Sequence, residues 1–265
     1  MNAPQAAATA APSPAGAAGD ATTPATTLVV TAVQGPVTTL TLARADKMNA
    51  LSAALVEQLI DAVDAAHARG SAVIVLRGEG RNFSAGFDFG GYQDHSEGDL
   101  LLRFVRIETL LQKLAASPAL TLALAHGKNF GAGVDLFGAC MLRVASESST
   151  FRMPGLKFGL VLGTRRFAAQ VGAQAAREVL TQTQTFGAAA AQQMGFVTRI
   201  AEPDQWQAQI DEAAAHATAL GAAARAQLYG VLAPASGDAD LASLVRSAAE
   251  PGIKQRIAAY LDTPK

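Results

Sequence analysis

The fold is decided at residues 80–88, which read Gly-Arg-Asn-Phe-Ser-Ala-Gly-Phe-Asp. They follow Ala-Val-Ile-Val-Leu at residues 72–76, a short apolar run rich in β-branched residues that predicts a buried strand. Ligands of open α/β sheets usually bind in the crevice outside the carboxyl ends of the strands. Ala85 and Gly86 are small enough for a ligand to approach the backbone, where successive N–H groups can point at one spot. The stretch therefore predicts an oxyanion or anion cradle, with an ordinary strand-to-loop turn as the alternative.

Composition limits the class of protein. The chain has 265 residues, of which 50% are hydrophobic and 16% are charged, and this is enough to bury a sizeable core. Its formal net charge of -1 shows no basic excess, so nucleic acid and membrane surfaces are not expected partners. The single cysteine, Cys140, excludes an intrachain disulfide and lies among apolar residues, where a core role is favoured over a nucleophilic one.

The first 27 residues differ from the rest of the chain. They are mostly Ala, Pro, Thr, Ser and Gly, with no Lys or Arg and no sustained apolar run, so a disordered tail is predicted rather than a secretory signal. No uninterrupted apolar run is long enough for a transmembrane helix. We expect a soluble, cytoplasmic protein.

Patterning along the chain indicates an α/β core followed by helices. β-branched runs at residues 28–33 and 37–42 flank Gln-Gly-Pro and predict an antiparallel hairpin. Ser52 is a plausible N-cap for a helix that continues to Gly70, and residues 100–114 have a helical period. The sequence thus predicts a core at residues 28–204 and a helical subdomain at residues 205–265, broken at residues 234–237 and 251–252.

A second strand, predicted at residues 120–125, also runs into a Gly-rich turn, His-Gly-Lys-Asn-Phe-Gly-Ala-Gly at residues 126–133. Two backbone N–H groups that converge on one point can hold a developing oxyanion. Asp135 follows this turn in an otherwise apolar segment, where burial would raise its pKa and suit it to proton transfer. The alternative is a structural aspartate in the first turn of a helix.

These motifs resemble those of the crotonase (enoyl-CoA hydratase/isomerase) superfamily, in the same order from residue 28 to residue 200. Residues 81–88 resemble its first oxyanion-hole motif, and residues 126–136 resemble the second. Lys-Met-Asn-Ala-Leu-Ser at residues 47–52 is similar to the early CoA-binding segment, and residues 151–160 resemble the segment that carries a second acid. The chain is identified as a divergent member.

The resemblance implies an α/β crotonase-like spiral of ββα units with a C-terminal helical subdomain, assembled as a homotrimer or a dimer of trimers. It implies an acyl-CoA thioester substrate whose carbonyl is held by the backbone N–H groups of Phe87 and Ala132, with Asp135 as catalytic acid or base. Coenzyme A would be part of the substrate, without a separate cofactor or metal. The positions that match CoA-binding ones are Lys47, Ala50, Ser84, Ala85 and Asp88.

The match departs from the family pattern where the second acid is expected. That position is Gly155, and the segment at residues 163–167 lacks the usual Pro-Gly beginning. Because a lost general acid or base costs about 10²- to 10⁴-fold in rate, two-carboxylate hydration is in doubt. An enoyl-CoA hydratase/isomerase-type enzyme is favoured. The alternatives are a CoA-thioester hydrolase, lyase or decarboxylase of the same fold, and a non-catalytic acyl-CoA-binding protein.

Overall fold

The computed structural model of the chain describes Met1 and residues 26–263, so nearly all of the predicted tail at residues 1–27 lies outside the described residues. The strands are β1 (Val29–Gln34), β2 (Val37–Leu42), β3 (Val73–Gly78), β4 (Leu120–Ala125), β5 (Lys128–Phe130), β6 (Leu142–Ala145), β7 (Thr150–Arg152), β8 (Thr185–Gly187) and β9 (Arg199–Ile200). The helices are α1 (Ala53–Ala68), α2 (Glu97–Ala115), α3 (Ala132–Gly138), α4 (Thr164–Val171), α5 (Ala173–Gln182), α6 (Ala188–Gln193), α7 (Trp206–Ala219), α8 (Ala222–Leu232), α9 (Gly237–Ala248) and α10 (Ile253–Asp262).

The larger sheet has six strands in the order β1-β2-β3-β4-β6-β9. Strands β1 and β2 form the predicted antiparallel hairpin, and every later neighbour pairs in parallel. The carboxyl ends of the parallel strands therefore meet at one edge of the sheet. This edge is where the two predicted turns begin.

Both faces of this sheet are buried, which explains the continuous apolar runs of its central strands. In β3, Ile74 and Leu76 belong to the main core on one face, while Val73 and Val75 belong to a second core on the other. Helices α1, α2 and α3 contribute to the main core. Helix α7 covers the opposite face through Trp206 and other apolar residues.

Local signals account for the helix starts. The Ser52 side chain accepts a hydrogen bond from the Leu55 N–H at 3.3 Å, so the predicted N-cap is confirmed. Helix α2 begins at Glu97 and not at residue 100 as predicted, because Ser96 and Asp99 form a capping box that satisfies the first free N–H groups.

A smaller sheet of three short strands, in the order β5-β7-β8, was not predicted from the sequence. Each of its strands has three residues, too few for a periodic pattern to show. Strand β5 follows β4 and pairs in parallel with β7, with Phe130 opposite Arg152. This sheet joins the second turn to the segment that contains Gly155.

The C-terminal helices lie on three different parts of the chain. Helix α7 packs on β3 and β4, α9 packs on α2, and α10 packs on the 3-10 turn at Gly155–Phe158. The division into a core at residues 28–204 and a region at 205–265 stays a prediction. Within the part of the chain that the structure describes, no helix has the length and apolar character needed to cross a membrane.

Candidate active site

In the first turn, the N–H of Phe87 has no acceptor among the described residues. Leu51 bridges to Phe87 in parallel register: the Leu51 N–H donates to the Gly86 carbonyl at 2.7 Å and the Asp88 N–H donates to the Leu51 carbonyl at 3.3 Å. In this pattern the N–H of Phe87 points away from Leu51. It donates to no other described residue.

The second turn places another free N–H beside the first. Ala132 is the first residue of α3, and its N–H has no acceptor among residues 26–263. Gly86, at φ +80°, lies against this turn: a β-carbon on Gly86 would lie 2.9 Å from the Ala132 nitrogen and 2.2 Å from the Phe130 carbonyl oxygen. Since Gly86 is bonded to Phe87, the two free N–H groups are close neighbours, and only glycine fits between them.

Phe87 and Ala132 both line one cavity of about 470 Å³, whose lining is mainly apolar. Phe87 is almost buried, with its ring stacked on that of Phe104 at a centroid distance of 4.4 Å. The Arg103 guanidinium lies 4.2 Å from the centroid of the Phe87 ring. Three carboxylates line the cavity: Asp46, Asp88 and Asp135.

Asp135 is the buried acid of this cavity. It lies three residues after Ala132 on α3, a spacing that puts both on one helix face, and its side chain has 8% exposure. Its Oδ1 atom has no hydrogen-bond partner within the described residues. Burial raises its pKa well above the usual value, an effect that Arg166 opposes and Glu108 reinforces. Burial therefore favours the neutral form of this carboxyl more than it would at an exposed position.

A buried ion-pair network lies behind Asp135. Arg166 on α4 holds Glu108 on α2 with two hydrogen bonds of 2.5 and 3.0 Å and also pairs with Asp240 on α9 at 3.2 Å. Arg166 is buried, whereas Arg165 is about half exposed. Because Arg166 is already paired with two acids, the Asp135 carboxyl has no cation of its own.

The opposite wall of the cavity has no acid. Gly155 begins the 3-10 turn at Gly155–Phe158 and lines the cavity where the second carboxylate was expected. The other unusual segment touches Asp135: a β-carbon on Gly163, at φ +62°, would lie 1.9 Å from the Asp135 Oδ1 atom. The backbone at Gly163 therefore fixes the position of the acid, and a side chain there would displace it.

Comparison with known proteins decides the family. A family model described as enoyl-CoA hydratase/isomerase matches residues 32–244. This chain belongs to the enoyl-CoA hydratase/isomerase family. It is 33% identical over 191 residues to a probable enoyl-CoA hydratase, echA6, of Mycobacterium leprae, a match that covers 68% of this chain and 75% of that protein.

Solved structures agree with this assignment. A structure from Bordetella parapertussis, described as an enoyl-CoA hydratase/isomerase, is 57% identical with a TM-score of 0.89, covering 90% of this chain and all of that one. An enoyl-CoA hydratase from Bacillus halodurans, at 21% identity and a TM-score of 0.78, covers 88% of this chain and 100% of that one and shares the fold. The predicted crotonase-like α/β fold and membership of the superfamily are confirmed.

The five positions matched to CoA binding in this family member divide into two groups. Lys47, Ala50, Ala85 and Asp88 line the cavity. Ser84 is fully buried, and its hydroxyl donates to the Asn49 carbonyl at 2.9 Å and accepts from the Gly86 N–H at 3.2 Å. The role of all five in binding CoA stays a prediction, and Ser84 can contribute only by shaping the first turn.

Several residues around the site could not be identified from the sequence. Arg44 pairs with Asp88 at 2.5 Å; burial opposes ionisation of that carboxyl, but the Gly90 N–H and Arg44 outweigh it and lower the Asp88 pKa. Tyr260 on α10 lines the cavity and packs against Phe158 at a centroid distance of 5.2 Å. No local pattern distinguishes Arg44 or Tyr260 from surface residues, since each reaches the site only through the fold.

Cys140 takes no part in the site. It is buried, and burial raises the pKa of its thiol to about 12, so the thiolate is essentially absent at neutral pH. The predicted core role is confirmed.

Proposed function

We propose that this enzyme binds an acyl-CoA thioester with the carbonyl oxygen between the N–H groups of Phe87 and Ala132. One observation carries the proposal: two turns from separate strands present two unpaired backbone donors side by side at the wall of one cavity. Such fixed donors stabilise a negative charge that develops on the oxygen, because they need no reorganisation when the charge forms. The species that these donors stabilise is a thioester enolate.

Asp135 carries the proton in this proposal. Its carboxyl lies on the same helix face as the Ala132 donor and borders the same cavity. A carboxyl whose pKa is raised by burial is a stronger base once ionised and a usable acid when neutral, both of which suit proton transfer to and from carbon.

Of the reactions open to the family, double-bond isomerisation needs the fewest acids and fits this cavity best. Ionised Asp135 takes a proton from the carbon next to the thioester carbonyl, and the electron pair moves onto the carbonyl oxygen as a dienolate. The resulting carboxylic acid returns the proton to the far carbon of the double bond, so the bond shifts into conjugation. Among the lining acids, Asp46 is exposed and Asp88 is held by Arg44, so neither matches the buried position of Asp135.

The proposal extends to the CoA moiety and to assembly. We propose that CoA lies on the side of the cavity formed by the segment before α1 and the first turn, because Lys47, Ala50, Ala85 and Asp88 line the cavity there. We propose a cytoplasmic homotrimer or dimer of trimers. Exposed apolar side chains on α8 support contact between copies: Leu228, Val231 and Leu232 are 44%, 84% and 71% exposed.

The variant Asp135→Asn tests the proposal because it keeps the shape of the side chain and removes its proton transfer. We expect turnover of 3-enoyl-CoA esters to fall about 10²- to 10⁴-fold while calorimetry shows unchanged affinity for a saturated acyl-CoA. Asp61→Asn, at an exposed position on α1, is the control and should retain full activity. Full activity in Asp135→Asn would disprove the role of the acid.

The same experiment separates the alternatives. The missing carboxyl at Gly155 is the observation that favours an acyl-CoA-binding protein without catalysis, and tight binding without turnover by the unmodified protein would support it. Release of free CoA would instead indicate thioester hydrolysis. Failure to bind any acyl-CoA would contradict every one of these functions.

A further inference from the structure

Arg152 is a cation in the wall of a mainly apolar cavity. It ends strand β7, where successive side chains alternate between the two faces. Phe151 is fully buried and packs on the rings of Phe137 and Phe186. The next side chain, Arg152, therefore lies on the other face of the strand, which is the cavity side.

The guanidinium of Arg152 has no partner in the described chain. Its Nε atom is buried and makes no hydrogen bond there, and none of the ion pairs found among residues 26–263 includes it. By contrast, Arg44 and Arg166 near the same cavity are each paired with carboxylates. A cation partly withdrawn from water is costly when unpaired, and a carboxylate is the group that best matches a guanidinium, with two parallel hydrogen bonds.

Arg152 lies close to the reacting end of the cavity. Its carbonyl accepts a hydrogen bond from the Gly131 N–H at 2.8 Å, and Gly131 directly precedes the Ala132 donor. The phosphates of CoA are separated from the thioester by the pantetheine arm, which contains two amide groups and is longer than one arginine side chain. An anion on the acyl chain is therefore a nearer partner for Arg152 than a CoA phosphate.

The surroundings of Arg152 suit a second anionic group. Tyr260 lies beside it: burial raises the pKa of the phenol, and the charge of Arg152 acts in the opposite direction. The neutral phenol can donate a further hydrogen bond.

We propose that Arg152 binds a carboxylate on the acyl chain and thereby selects acyl-CoA substrates that carry a second acid group. This inference rests on the proposed function, because it names the substrate class of the same cavity. It makes Arg152 a specificity-determining residue. A neutral acyl chain would leave the guanidinium without its partner.

The test compares glutaryl-CoA with pentanoyl-CoA, which have acyl chains of equal length with and without a terminal carboxylate, by calorimetry. We expect the unmodified protein to bind glutaryl-CoA at least about tenfold more tightly, a preference that one charge-assisted pair can supply. Arg152→Gln should remove this preference and leave the affinity for pentanoyl-CoA unchanged. Arg152→Lys should retain part of it, because it keeps the charge and loses the bidentate geometry.

Lys157→Gln is the matched control, since it removes one positive charge from the exposed part of the neighbouring 3-10 turn. It should leave both affinities unchanged. Equal affinity of the unmodified protein for the two esters would overturn the inference and leave the proposed function intact. If Arg152→Gln loses the same factor in affinity for both esters and for free CoA, the inference is overturned and a contact between Arg152 and a CoA phosphate is indicated instead. Binding of neither ester would refute the proposed function itself.

Discussion

The two walls of the cavity differ in the charge that they present to a ligand. The wall formed by α3 carries Asp135, whose carboxyl is buried and held in place by the backbone at Gly163. The wall formed by β7 and the following 3-10 turn carries Gly155 and the unpaired Arg152. One wall therefore carries a buried acid, whereas the other carries a cation and, among the described residues, no acid.

The surroundings of the two side chains differ as well. Burial raises the pKa of Asp135, and Arg166, which acts in the opposite direction, is itself paired with Glu108 and Asp240. Among the described residues, the Arg152 guanidinium takes part in none of the ion pairs. The two proposals therefore rest on different walls: proton transfer on α3 and recognition of a carboxylate on β7.

The largest effect is expected from disturbing the acid wall with Gly163→Ala. A β-carbon at residue 163 would lie 1.9 Å from the Asp135 Oδ1 atom, so the carboxyl must move. Displacement of a reacting group by about 1 Å can cost on the order of 10²-fold in rate, and we expect kcat to fall by that factor.

The control for this variant is Gly172→Ala. Gly172 has φ +83° but nothing within 4 Å of its β-carbon position, so Gly172→Ala introduces backbone strain without a steric clash. It should lower thermal stability with little change in kcat. Equal losses of activity in the two variants would show that strain, and not the position of Asp135, is responsible.

Gly155→Glu adds an acid to the other wall, and we expect it to have a smaller effect and to raise an activity instead of lowering it. A β-carbon there would lie 3.1 Å from the Leu160 carbonyl oxygen, which requires only a small shift. We expect hydration of 2-enoyl-CoA to rise about tenfold, less than the 10²-fold or more of a fully positioned acid.

Gly155→Gln has the same size without the ionisable group and is the matched control. A rise in hydration in both variants would attribute the effect to the shape of the wall. No rise in Gly155→Glu would mean that the site at residue 155 does not face the bound substrate.

The smallest effect concerns stability and pH. The pKa of Asp135 is raised in the folded protein, so as pH rises from about 3.8 towards that raised value the unfolded state loses its proton first and the folded state is progressively destabilised. The side chain of the variant Asp135→Asn cannot ionise, so its folded state is not destabilised in this way as the pH rises.

Urea unfolding of Asp135→Asn and the unmodified protein at acidic and neutral pH measures this difference. The variant should gain stability relative to the unmodified protein as the pH increases. A difference that is constant with pH would show that Asp135 has an ordinary pKa in the folded state.

Much of the main sheet and the order of the two turns could be predicted from the sequence. The runs at residues 72–76 and 120–125 are mainly apolar because their strands are covered on both faces, and the run at residues 37–42 is rich in β-branched residues. Ser52 marks a helix start through a hydrogen bond made within one turn. The strands of the smaller sheet could not be predicted in this way, because three residues carry no periodicity.

Contacts between residues that lie far apart in the sequence could not be predicted either. Arg166 pairs with Glu108 and Asp240, which are 58 and 74 residues away. Tyr260 reaches the cavity only because α10 packs on the 3-10 turn at Gly155–Phe158. Neither position differs locally from an ordinary helix surface.

The sequence by itself determined the parts of this protein that depend on short-range chemistry: two glycine-containing turns at strand ends, an aspartate in an apolar segment and the loss of a side chain at residue 155. Only the tertiary structure decided that Gly86 brings the N–H groups of Phe87 and Ala132 together, that Arg166 opposes and Glu108 reinforces the raised pKa of Asp135, and that Arg152 has no partner among the described residues. The physical reason is that a residue's own type and neighbours fix its backbone preferences, whereas its charge state and its partners depend on groups that the fold delivers from elsewhere in the chain.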